Sequence, residues 1–150
     1  MFRGTFEHTV DEKGRVSVPA RFRLYLQAIN DLRVVITNFQ IEGVPCLDVY
    51  PYAAWAKLED QLRTKPQFDP RVLKFITYYV GSAHDCELDK QGRILLPPTL
   101  REYAQLKRDV VFNSAIDKFR IWDRDNWRKV FMAAGAELAN QPEILEQLGV

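Results

Sequence analysis

Two short stretches of this 150-residue chain carry residues whose types and spacing could do chemistry: Asp11-Glu12-Lys13-Gly14-Arg15 and Asp89-Lys90-Gln91-Gly92-Arg93. In each, a carboxylate stands four residues before an arginine, with a glycine directly ahead of the guanidinium. Asp at the first place and Gly at the fourth are what a type I turn prefers, with Gly taking the left-handed bulge position of a hairpin. The arginines, Arg15 and Arg93, therefore project near hairpin tips. A planar guanidinium can take guanine O6 and N7 together, and a two-stranded ribbon fits a major groove. Lys13 and Lys90 sit on the turns, where they could hold phosphates, and Arg21, Arg23, Arg101, Lys107 and Arg108 follow in or after short helices that could flank the same face. The competing reading is structural: Asp11 with Arg15, and Asp89 with Arg93, form ion pairs that only brace each hairpin. Both hold together if the carboxylate aims an arginine that also reaches a nucleotide.

Other chemistry finds little support. His8 and His84 have no second His or Cys at ligand spacing, so no metal site is expected. His84-Asp85-Cys86 reads as the end of a half-buried strand rather than thiol chemistry, and Ser17, Ser82 and Ser114 lack a nearby base. There is no glycine-rich phosphate loop, no G-x-S-x-G elbow and no Cys-x-x-Cys pair. Trp55, Trp122 and Trp127 fall on apolar helix or strand positions and read as core or interface anchors. The expectation is a protein without catalytic activity, cofactor or small-molecule substrate.

The elements that must position these residues come from an internal repeat. Asp11 to Pro19 aligns with Asp89 to Pro97 at an offset of 78, and the register continues through Arg23 with Arg101 and Tyr25 with Tyr103. Val34-Val35-Ile36 then matches Val110-Val111-Phe112 at an offset of 76. Leu47-Asp48-Val49-Tyr50 matches Phe119-Arg120-Ile121-Trp122 at 72, as does Trp55 with Trp127. The offset shrinks as expected when loops differ in length and elements do not. Each copy reads as a strand (Thr5 to Val10 in the first), the turn, a second strand with Val16 and Val18, a short helix opened by Pro19, two more strands near Val34 and Val49, and a closing helix. In the second copy that helix carries an apolar stripe of Trp127, Val130, Phe131, Ala134 and Leu138. The chain divides into modules 1–69 and 81–150, with a connecting helix over 70–80 whose stripe is Val72, Phe75, Ile76, Tyr79 and Val80. The tail after Asn140 is a short amphipathic helix that docks on a neighbour, or it frays.

A half-length module alone buries too little surface to be comfortably stable, so the copies should pack on each other or on other subunits. The apolar fraction, 47%, suffices for such a core. Net charge is only +1, so any nucleic-acid contact rests on local clusters, on many copies of them, or on both: residues 1–25 carry five basic and three acidic side chains, residues 89–108 five and two. The start has no signal-peptide pattern, and no run of about 18 apolar residues could cross a membrane. The expected location is the cytosol, with Cys46 and Cys86 as two reduced thiols.

Asp-x-x-Gly-Arg-apolar-x-apolar-Pro resembles the hairpin of SpoVT/AbrB-type DNA-binding modules. Two such motifs in one chain, opening with Met1-Phe2-Arg3-Gly4 and including Cys46-Leu47-Asp48-Val49-Tyr50-Pro51 and Phe119-Arg120-Ile121-Trp122-Asp123, resemble the MraZ family over nearly the whole length. The resemblance implies an α+β fold in which swapped hairpins of two tandem modules interlock into a pseudo-dimeric β-barrel with flanking helices. It also implies a bacterial transcription regulator, associated with the nucleoid, that assembles into a homo-oligomeric ring. Such a regulator binds double-stranded DNA at repeated sites upstream of the division and cell-wall gene cluster, its own promoter included. Carried over by position, Arg15 and Arg93 face DNA, Asp11 and Asp89 orient them, Gly14 and Gly92 form the turns, and Arg23 and Arg101 match basic positions after the proline. Two departures bear on this: His8 and Cys86 stand where some AbrB-type modules have a basic residue, and Ala20-Arg21 contrasts with Pro98-Thr99, so the modules need not contribute equally. The alternative function is a structural ring or interaction scaffold without direct DNA readout.

Overall fold

In the computed structural model, which describes residues 1–150, the local signals act where expected. β1 (Thr5–Thr9) alternates, with Phe6 and His8 turned inward. The Asp11–Gly14 turn leads into β2 (Arg15–Ser17), and Pro19 stops that strand one residue before α1 (Ala20–Ala28). α1 buries Phe22 and Leu26, one helical turn apart. There follow β3 (Arg33–Ile41), β4 (Val44–Pro51) and α2 (Tyr52–Arg63). Asp69 caps α3 (Pro70–Phe75) by accepting from the Arg71 N–H, and the helix widens into a π-helical turn over Ile76–Val80. The second copy supplies β5 (His84–Glu87), β6 (Arg93–Leu95), α4 (Pro98–Tyr103), β7 (Asp109–Ser114), β8 (Phe119–Asp123), α5 (Arg124–Asn140) and α6 (Glu143–Leu148). α1 and α4 end alike, with Asn30 and Gln105 at positive φ and the Asp31 and Leu106 N–H groups donating back to Leu26 and Arg101.

Strand pairing joins the two copies at β1–β7, β8–β4, β3–β5 and β2–β6, while β3–β4 and β7–β8 pair within a copy. One antiparallel sheet runs β1-β7-β8-β4-β3-β5, and β2 pairs with β6 as a separate two-stranded ribbon. The first copy's β1 thus lies on the second copy's β7, and the second copy's β5 on the first copy's β3. Register respects the repeat: Val16 pairs with Ile94, its own counterpart, and Asp48 with Arg120, also its counterpart. Pairing of equivalent residues is the mark of a two-fold axis, so an approximate two-fold relates the copies through both places. The pairings close no barrel. β1 and β5 remain the edges of an open sheet, and the ribbon stands apart from it; the architecture is mixed α+β.

The ribbon and the two short helices cover one face of the sheet. Phe2, Val16, Phe22, Leu26, Ile94, Leu96 and Leu100 meet Val34, Ile36, Leu47, Val49, Phe112, Phe119 and Ile121 in one continuous core drawn from both copies. Phe22 sits at its centre, edge-on to Phe2 and Phe6 and tilted on Phe119. On the other face, α2 and the π-helical turn bury Val35, Tyr50, Trp55 and Tyr79, while Trp127 and Val130 of α5 pack on Cys46, Val111 and Trp122. Covering on both sides explains why Val34 to Asn38 are buried without alternation. The stripe expected along α5 packs only over its first two turns: Phe131 is 59% exposed and the helix beyond it is solvent-facing. Both cysteines are free thiols. No helix is long and apolar enough to cross a membrane.

Candidate nucleic-acid interface

Each Asp–Arg motif folds into the same tight unit. Asp11 Oδ1 accepts from the backbone N–H groups of Lys13 and Arg15, both at 2.9 Å, while its Oδ2 takes Arg15 Nε at 2.9 Å. Asp89 does the same with Gln91 N, Arg93 N and, at 3.0 Å, Arg93 Nε. The Gly14 and Gly92 N–H groups donate back to the carbonyls of Asp11 and Asp89. Backbone amides are the first cause holding both carboxyls below their usual range, with the paired guanidinium contributing. They stay ionised at neutral pH, and the support they give is lost only as pH falls through that depressed range.

The Asp–Arg ion pair expected of each turn is present. The carboxylate engages Nε, and the terminal Nη groups of Arg15 and Arg93 make no hydrogen bond within the chain. These side chains are 33% and 28% exposed. The pairing of Arg15 with Leu95 and of Ser17 with Arg93 puts all four on the ribbon's outer face, because Val16 and Ile94 point into the core. Arg15 and Arg93 are diagonal neighbours there, about 7–8 Å apart at Cα, or roughly two base-pair steps at 3.4 Å each.

Register extends one residue beyond the paired strands at each end, where the Leu96 N–H donates to Gly14 O and the Val18 N–H to Gly92 O. Lys13 is therefore exposed at one end of the ribbon and Lys90 at the other. In the repeat, however, Lys13 aligns with Gln91 and Lys90 with Glu12, so the ends are not identical. Arg21, Lys107 and Arg108 are exposed.

Arg23 and Arg101 lie elsewhere than on an open flank. Each crosses to the opposite copy's turn: a Cβ added at Gly14 would meet Arg101 Cζ at 2.9 Å, and one at Gly92 would meet Arg23 Cδ at 2.3 Å. Arg23 Nη1 also donates to the Val18 carbonyl at 2.7 Å. Sequence reading could not find this cross-bracing, because it depends on which turn faces which helix. It also passed over Leu95, 56% exposed beside the arginines, where the first copy has Ser17. The signal was an apolar residue at a position its counterpart keeps polar.

Both turn glycines have positive φ, +85° at Gly14 and +76° at Gly92. A left-handed non-glycine residue costs about 1–3 kcal/mol. Gly92→Ala adds a clash with the middle of the Arg23 side chain, whereas Gly14→Ala meets the far end of Arg101, which can swing aside. Gly92→Ala is expected to lower the urea midpoint more than Gly14→Ala. Equal losses would mean the crossing arginines do not press on the turns.

A family model described as "MraZ protein, putative antitoxin-like" matches the chain over residues 1–72 and 80–147. A transcriptional regulator MraZ of Desulfitobacterium hafniense is 42% identical over the full length of both chains, and one of Thioalkalivibrio sulfidiphilus is 40% identical, also over full length. The regulator of that name from Acidithiobacillus ferrooxidans is 43% identical over 85% of each chain. Two family matches that between them take in both Asp–Arg turns, with full-length relatives at this level of identity, establish that the chain belongs to the MraZ family.

Proposed function

We propose that this protein is a sequence-specific DNA-binding transcriptional regulator whose β2–β6 ribbon enters a major groove. The observation that carries the reading is the common outward face of Arg15 and Arg93, each held through Nε with its terminal nitrogens unengaged. The relatives named as transcriptional regulators support it. Arg15 and Arg93 read base edges, Lys13 and Lys90 hold phosphates at the two ends, and Ser17 and Leu95 make the two half-surfaces unequal, since an apolar side chain suits a thymine methyl. Arg23 and Arg101 act first by holding the opposite turn in place. Each half, 1–69 and 81–150, is best read as an AbrB-type module exchanging strands with the other across the 70–80 connection.

The sites are repeats upstream of the division and cell-wall gene cluster, including the protein's own promoter, and the working form is a ring of identical subunits in the cytoplasm, on the nucleoid. Assembly answers the small net charge of +1: engaging several spaced repeats at once can raise avidity by roughly 10² to 10⁴. The test is binding to its own upstream duplex at several salt concentrations and repeat numbers. Affinity should climb steeply with repeat number and fall linearly in log–log salt, each neutralised phosphate contributing about −0.9 to the slope. Lys13→Ala and Lys90→Ala should flatten that slope. Arg101→Ala should weaken binding with the slope unchanged, because it removes a support and not a phosphate contact. Weak binding indifferent to repeat number would end the proposal.

A further inference from the structure

The repeat continues past the closing helices. At the offset of 72, Pro70-Arg71-Val72-Leu73 matches Pro142-Glu143-Ile144-Leu145, and Ile76 matches Leu148. α6 is thus the counterpart of α3, with charge inverted where Glu143 stands for Arg71 and Glu146 for Lys74. The two copies place these helices differently. In the first, Pro66 and the Asp69 cap turn the chain after α2, and the π-helical turn that follows α3 seats Tyr79, 2% exposed, on Val35, Tyr50 and Trp55. In the second, no proline intervenes before Pro142, and α5 runs on to Asn140, five residues past the counterpart of Arg63. The first two turns of α5 pack on the sheet, and from Phe131 onward the helix and α6 form an exposed arm. Phe131, Met132, Leu145 and Leu148 are 59, 69, 41 and 68% exposed, and α6 buries no residue.

Two segments of this one sequence complement each other. Residues 130–150 hold three acids, Glu137, Glu143 and Glu146, and no Lys or Arg. Residues 60–74 hold Arg63, Lys65, Arg71 and Lys74 against Asp60 and Asp69, which pair with Arg63 and Arg71, so Lys65 and Lys74 carry the unpaired charge around Phe68 and Leu73, which are 93 and 48% exposed. We propose that the acidic, apolar arm of one chain docks on the basic α3 surface of a second copy. Phe131, Leu145 and Leu148 meet Phe68 and Leu73, while Glu143 and Glu146 face Arg71 and Lys74. Donor and acceptor surfaces differ, so the contact is heterologous and each chain offers both halves. Repetition gives a chain, or a closed ring where the rotation permits. This deepens the assembly part of the reading above, and its test uses no DNA.

The experiment is light scattering after gel filtration at about 10 µM, with far-UV circular dichroism to verify folding. The wild type should exceed the 17.5 kDa of one chain. Glu143→Lys with Glu146→Lys, and separately Arg71→Glu with Lys74→Glu, should weaken association at least ten-fold through like-charge contact. The quadruple reversal should restore it, as should mixing the two double variants, because each then meets its complement. A chain ending at Asn140 gives the same readout without new charges. A monomeric wild type, reversals that leave the mass unchanged, or a quadruple variant that stays dissociated would overturn the docking. Binding of the dissociated variants to a single-repeat duplex stays intact if the DNA reading holds, so the two ideas fail separately.

Discussion

Replacing Arg15 and Arg93 together with alanine is expected to remove the proposed specific recognition of the upstream duplex while the chain stays folded. Each single replacement weakens binding about 5- to 150-fold per engaged repeat, since a bidentate arginine–guanine contact discriminates by about 1–3 kcal/mol. Folding survives because the two side chains sit on the ribbon's outer face, whereas Val16 and Ile94 behind them carry the packing. The turns also keep their Asp-to-amide hydrogen bonds, which do not involve the guanidinium. Arg15→Lys and Arg93→Lys separate charge from geometry. Lysine preserves attraction to phosphate but lacks the planar fork, so specific binding should drop toward the level of an unrelated duplex while non-specific binding persists. Fluorescence anisotropy with specific and scrambled duplexes reads both. Unchanged discrimination in the double alanine variant would leave the Asp–Arg units as braces only and favour a scaffold.

The second large effect lies on the opposite side of the sheet. Arg120→Ala should lower stability by about 3–5 kcal/mol, read as a fall in the urea midpoint, because it strips a buried carboxylate of its charge partner. Asp48 is 1% exposed, with Arg120 Nε 2.8 Å from its Oδ1. Its Oδ2 accepts from the Tyr79 hydroxyl, and the Tyr50 hydroxyl lies 2.7 Å from that of Tyr79. Burial first, then the Asp48 charge, push the Tyr79 hydroxyl far above its ordinary range, so it remains a donor. In a symmetric pair of identical modules this position would oppose like with like. Duplication within one chain let Asp face Arg across the approximate two-fold. Exchanging the charges, Asp48→Arg with Arg120→Asp, should recover only part of the loss, because the Tyr79 hydroxyl that donates to the carboxylate at position 48 would then face an arginine. Full recovery would mean that Tyr79 contributes nothing to the pair.

The local motifs were legible because their causes are local. Asp, Gly and Arg at fixed spacing specify a turn through hydrogen bonds spanning no more than four residues, and both turns form in the same way. The helix after Pro19 and the apolar alternation of β1 follow from side-chain chemistry within one or two turns. The barrel did not follow. Alternation tells a strand which residues turn inward, yet it does not say how many strands a sheet will contain or whether its edges meet; here β1 and β5 stay apart.

From the order of its residues alone, this protein is determined to be a duplicated α+β chain with two arginine-bearing turns, since a repeat is a match of residue types along the chain and turn preferences need only neighbours. Only the tertiary structure decided that Arg15 and Arg93 share one face, that Arg23 and Arg101 cross to lie against the opposite copy's turn glycines, that Asp48 meets Arg120, and that the α5 stripe runs out into solvent. Each of these is a meeting of residues about 70 or more positions apart, or the lack of one. Such meetings are set by strand pairing and by the packing of one shared core, quantities that no local window of sequence contains.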